Sequence, residues 1–85
     1  MHDFHLADTI HKTIMEYAAK NDLKKITKAA IELGSVVEHG EEVLPDNLEF
    51  NIKMLSEGGI AEGLMIEITR GQGDNWTLKE IEGDK

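Results

Sequence analysis

Three nitrogen donors stand at the very start of the chain: the α-amino group of Met1, the amide nitrogen of His2 and the His2 imidazole. The amine and the His2 amide close a five-membered ring around a divalent ion, and that amide with Nδ1 of His2 closes a six-membered one. With the amide deprotonated this is the planar nitrogen coordination that suits Ni(II) or Cu(II). The fourth position falls to the amide of Asp3, to water, or to a neighbour such as His5. The free amine titrates near about 7.7–8.0 and the imidazole near about 6.5, and both must lose their protons to bind, so loading weakens in acid. Such a site does not select nickel by affinity, because Cu(II) binds nitrogen donors more tightly. Read alone, His2 is more simply an exposed residue at a frayed terminus, since isolated histidines are usually not ligands.

The remaining titratable residues carry less. His5 lies three residues beyond His2 and could approach the same ion or be a solvated helix residue. His11 reads as a surface histidine. His39, among Glu38, Glu41 and Glu42, could hold a second hard or borderline ion, although loops are also where solvated charges collect. Glu57, Glu62 and Glu67 lack a paired nucleophile or pocket and read as exposed carboxylates. No phosphate-binding loop, activated nucleophile or metal-hydrolase spacing occurs. Trp76, the sole tryptophan, is expected to pack on its strand rather than mark an interface.

These groups need a scaffold, and 85 residues with 40% apolar content allow one small domain. A chain of this length buries only roughly 60–65% of its unfolded surface. There is no cysteine to staple it, so stability must come from one core, with a homodimer interface as a further source. Lack of cysteine excludes disulfides and a cysteine zinc site and fits a reducing compartment. No secretory leader is evident, and no apolar run nears the ~20 residues of a membrane span, so the expectation is a cytoplasmic protein without membrane contact. The net charge of −8 repels phosphate backbones and disfavours nucleic acid as a partner.

From His5 to Lys20, Leu6, Ile10, Ile14, Tyr17 and Ala18 form one helical stripe. Asp3 is placed to cap that helix and Asn21 to end it in a left-handed conformation. The segment Lys25 to Leu33 alternates as a strand, with Thr27, Ala29, Ile31 and Leu33 as one face and Ile26, Lys28, Ala30 and Glu32 as the other. Ser35 to Leu44 reads as a flexible acidic loop. Pro45 suits the first turn of a second helix, running to about Glu57 before Gly58 and Gly59. Leu64 to Thr69 and Trp76 to Glu82 read as strands of an antiparallel hairpin, and residues 82–85 as a frayed end. The expected fold is a small two-layer α+β domain of order α-β-α-β-β, two helices covering one face of a three-stranded sheet.

The Met1-His2-Asp3 opening, the helix with Leu6-Ala7 and Ile10, Ile31-Glu32-Leu33-Gly34, the run from Leu44 to Ile68 and the closing Leu78-Lys79-Glu80-Ile81-Glu82 together resemble HypA, the nickel metallochaperone family of hydrogenase maturation. Within the long run, Pro45, Leu48, Phe50, Leu55, Glu57-Gly58, Ala61-Glu62-Gly63, Ile66 and Ile68 are similar to the family's framework positions. The resemblance implies a non-enzymatic accessory protein that holds Ni(II) at Met1 and His2, with a charge role for Asp3. It implies transfer of the ion to a maturation GTPase or a hydrogenase precursor. Members of the family usually insert a zinc domain with paired cysteines between their last two strands. Here residues 69–75 join those strands directly, which implies the nickel-binding domain alone over residues 1–85, without structural zinc. The family typically carries Glu where this chain has Asp3, and its loop at Ser35 to Leu44 is shorter. A second reading is a metal-independent interaction or regulatory module derived from HypA.

Overall fold

The computed structural model describes the backbone of residues 2–38 and 40–85, and the side chains of these except residues 2–4, 38 and 41. Helix α1 spans His2–Lys20, strand β1 Lys25–Leu33, the two-residue strands β2 and β3 Val37–Glu38 and Glu41–Glu42, helix α2 Pro45–Ser56, β4 Met65–Arg70 and β5 Trp76–Asp84. The chain is α+β, with the expected helices and the three main strands in the expected order.

In α1, Leu6, Ala7, Ile10, Ile14 and Ala18 are buried, the three- and four-residue spacing that aligns side chains along one face. Tyr17 does not belong to that stripe: it is 46% exposed, at the edge of the face, with the Lys20 ammonium 5.5 Å from its ring centre. The helix begins earlier than expected, so Asp3 is not its cap but lies within the first turn. It ends at Lys20, as expected, but Asp22, not Asn21, takes the left-handed conformation (φ 57°). The amides of Asp22 and Leu23 donate to the carbonyls of Ala19 and Ala18 at 3.3 and 2.9 Å, the paired bonds of a Schellman termination. Asn21 contributes its side-chain amide, which donates to the Tyr17 carbonyl at 2.8 Å.

The three-stranded sheet has the order β4-β1-β5. Strand β1 is therefore central, parallel to β4 and antiparallel to β5. The expected hairpin of the last two strands does not form; β1 lies between them. Alternation of apolar residues reports which face of a strand is buried but not which strand is its neighbour. Residues 71–75 must cross the end of β1, two strand spacings or roughly 10 Å, well within the reach of five residues. Three backbone bonds hold the crossing: Gly71 N–H to the Leu33 carbonyl (2.9 Å), Gly34 N–H to Asn75 (2.8 Å) and Ser35 N–H to Gly73 (2.9 Å). Gly34 lies so close that a Cβ there would stand 2.6 Å from the Gly73 carbonyl oxygen and 2.8 Å from that of Asn75.

The inward face of β1 is Ile26, Ala29, Ile31 and Leu33. Ile26 joins this face in place of Thr27 because the pairing with β5 slips between Ile26 and Lys28; the extra residue in the bulge reverses the alternation. A second slip, between Ala30 and Ile31, leaves Lys79 and Glu80 both exposed on β5. These β1 residues form one cluster with the buried faces of α1 and α2 and with Val43, Ala61, Leu64 and Ile66. The opposite face of the sheet is open: Lys28 lies 3.9 Å from Glu67 and 4.0 Å from Glu82, a loose tie across all three strands. The end of β5 does not fray, since Lys24 N–H donates to the Asp84 carbonyl at 2.7 Å.

The segment Ser35 to Leu44 is more ordered than its composition suggests. Val37 pairs with Glu42 and Glu38 with Glu41 across a turn, and Gly40 takes φ 84°, which favours glycine. Val43 is fully buried, its amide donating to the Val36 carbonyl at 2.8 Å. Arg70 Nη2, at the end of β4, is 3.0 Å from Glu42 Oε2. Among the described residues no helix is long and apolar enough to cross a membrane.

Candidate metal centre

Helix α1 fixes the backbone at the proposed site. Its first four N–H groups have no carbonyl one turn back to bond, and with the helix starting at His2 these include the amides of His2 and Asp3. The helical hydrogen-bond pattern therefore does not consume the nitrogens that planar coordination requires. The positive end of the helix dipole opposes a bare cation here, by roughly 0.3–1 kcal/mol. Each deprotonated amide adds a negative charge to the complex, so a divalent ion bound by two amide nitrogens carries no net charge for the dipole to oppose.

His2 and His5 are three residues apart on the same helix, neighbouring positions on one side of it. His5 is exposed, and its carbonyl accepts a hydrogen bond from the Thr9 hydroxyl at 3.2 Å. The side chains of His2 and Asp3, and all of Met1, lie outside the described residues, as does His39.

The structure separates His11 from this group. It comes nine residues after His2, two and a half turns along, and so on the opposite side of α1. It is half-buried rather than fully at the surface. Burial lowers its pKa below the ordinary 6.5, with the nearby Asp8 carboxylate pulling the other way. Asp8 itself pairs with Lys12 at 3.1 Å.

The other candidates disperse. Glu57 terminates α2, its amide donating to the Met54 carbonyl at 3.3 Å. Glu62 is an exposed residue of the following turn, and Glu67 faces Lys28 on the open sheet. Trp76 packs part-buried against the core beside Leu33, the packing role expected of it. A shallow hollow lined by Asn21, Leu23, Ile81, Glu82, Gly83 and Lys85 contains no nucleophile. Among the described residues, no three histidine, aspartate or glutamate side chains converge to hold an ion. The Arg70 to Glu42 pair is a contact that sequence reading missed; residues 28 apart carry no local signal of it.

No protein-family model matches the chain. Curated relatives do. The hydrogenase maturation factor HypA of Thermococcus onnurineus is 34% identical over 98% of this chain and 63% of its own length. HypA of Pyrococcus abyssi is 35% identical over 95% of this chain and 61% of its own. This chain resembles HypA along nearly its whole length. It spans somewhat under two thirds of those HypA relatives. The fold agrees as well: the solution structure of the nickel metallochaperone HypA from Helicobacter pylori superimposes with a TM-score of 0.78 at 12% identity, covering 99% of this chain and 98% of that one.

Proposed function

We propose that this chain is a HypA-like nickel carrier, a non-enzymatic cytoplasmic accessory protein in the maturation of a nickel enzyme such as hydrogenase. The observation that carries the reading is the 34% identity with a hydrogenase maturation factor across 98% of the chain. The relation in fold to a nickel metallochaperone supports it. Nickel is cargo here, not a resident cofactor. The α-amine of Met1, the amide and imidazole of His2 and the amide of Asp3 would hold the ion, with His5 as an alternative fourth donor. Ligand exchange with a maturation GTPase or a hydrogenase precursor would release it. Selection of nickel over copper then rests on supply and on the receiving partner, since nitrogen donors alone favour Cu(II).

The five residues joining β4 to β5 leave the sheet closed by a tight crossing. We take the chain to be the nickel-binding domain without a zinc module, so that nickel loading answers to the donors' own protonation and not to a second metal.

Calorimetric titration of the untagged protein with Ni(II) at pH 7.5 tests the site. His2→Ala, and a form extended by two residues before Met1, are each expected to weaken binding at least about tenfold, since each removes a ring-closing donor. Unchanged affinity in both would remove the proposed centre.

A further inference from the structure

Nearly one residue in three of this chain is charged, yet one side of α2 carries no charge at all. Leu44, which caps the helix, Asn47, Asn51 and Met54 follow at spacings of three, four and three, and Phe50 lies between Asn47 and Met54 on the same side. Leu48 and Ile52 are fully buried in the core, so Phe50, two residues from each, stands opposite them, and the stripe runs from there along one flank of the helix, where Asn51 is half-buried. Phe50 is 65% exposed, Leu44 52% and Met54 45%. A phenylalanine and a methionine one turn apart, with Leu44, Asn47 and Asn51 along one flank and charge (Asp46, Lys53 and Glu57) only along the other, are costly to leave in water. Depletion of charge with aromatic and methionine enrichment is the composition of the centre of a protein interface.

The rim decides what kind of surface fits. Lys53 is occupied by Glu49 at 3.4 Å, whereas Asp46 and Glu57 flank the ridge at its two ends with no ion-pair partner among the described residues. A second copy of the chain would set like rims, on molecules each carrying −8, against each other, and like charges across a contact oppose association. A partner presenting leucine-like side chains between lysines or arginines meets both the ridge and its rim. We propose that the Leu44–Asn47–Phe50–Asn51–Met54 ridge of α2 docks a basic amphipathic helix of another protein, packed alongside α2. The contact is distinct from the metal-binding terminus and does not depend on nickel.

The probe is an 18-residue amphipathic helical peptide of leucine and lysine, titrated into the metal-free, 15N-labelled chain at 50 mM and 300 mM NaCl with amide shifts followed by NMR. The expected result is shifts centred on residues 44–57, weaker binding at the higher salt, and at least a tenfold loss of affinity in Phe50→Ala/Met54→Ala. Both substituted side chains are exposed, so the variant's amide spectrum is expected to stay folded. Glu67→Gln/Glu82→Gln, on the open sheet face, is expected to bind the peptide within twofold of the parent chain. Shifts centred on the sheet, an unchanged affinity for the α2 variant, or a dimer of the chain alone that Phe50→Ala dissolves would each overturn the proposal. Because no metal is present, failure here leaves the nickel reading intact, and loss of nickel binding in His2→Ala leaves this one intact.

Discussion

At the scale of single residues, His11 is where structure changes the meaning of a side chain most. Half-buried, it has a pKa below 6.5 because burial penalises its charged form more than Asp8 favours it. The unfolded chain then binds more protons than the folded one between the lowered pKa and 6.5, so stability rises with pH across that window and is level above it. Acidification from pH 7 to 5 is therefore expected to destabilise the protein partly through His11, and His11→Gln should flatten that part of the profile. Urea unfolding at pH 5, 6 and 7 of both proteins checks this; an equal pH slope in the two would show that His11 contributes nothing. A second expectation concerns the core. Ile14 is fully buried on α1, and Ile14→Ala should cost about 2–5 kcal/mol, seen as a lower urea midpoint with an unchanged slope.

At the scale of elements, helices and strands were legible because their signals are local: the stripe of α1, Pro45 opening α2, and the alternation of β1, β4 and β5. Pairing was not, because order β4-β1-β5 depends on a crossing of β1 and not on anything within β4 or β5. The bulge at Thr27 was hidden for a related reason: an extra residue shows only against a partner strand, and without β5 Ile26 falls on the wrong face. The Ser35 to Leu44 segment misled by composition, since its charges conceal Val36 and Val43, the residues that anchor it. The proposed metal site is legible only as donor chemistry at Met1 and His2; the structure adds the helix that begins at His2. Gly34 is the most exacting position of the crossing. Gly34→Ala would drive a methyl group into two backbone carbonyl oxygens at 2.6 and 2.8 Å, which cannot rotate away as a side chain could. The expected cost is about 1–3 kcal/mol, and hydrogen exchange should quicken first at Gly34, Ser35 and Gly71, whose amides hold the crossing. Unaltered exchange at these three amides would mean that the loop accommodates the methyl group by shifting.

At the scale of the whole molecule, electrostatics works against the fold. The net charge of −8 is confined within a radius of gyration of 12.3 Å. The ion pairs among the described residues are loose or exposed: Asp8 with Lys12, Lys28 with Glu67 and Glu82, Glu49 with Lys53, Glu42 with Arg70. Such pairs contribute about 0–1 kcal/mol each and are screened by salt. At 10 mM ionic strength the screening length is roughly 30 Å, so most charges on the molecule feel one another; at 150 mM it is roughly 8 Å and only neighbours do. Repulsion, summed over many distant pairs, loses more by screening than the few close attractions do. The unfolded chain spreads the same charges further apart and gains less. Salt is therefore expected to stabilise the metal-free protein at pH 7. A gain on the order of 1 kcal/mol between 10 and 150 mM NaCl would raise Tm by about 4–8 °C in a domain of this size. Thermal unfolding at the two concentrations decides the sign: a Tm that falls with salt would show that the surface ion pairs, and not the excess negative charge, dominate the stability of the fold.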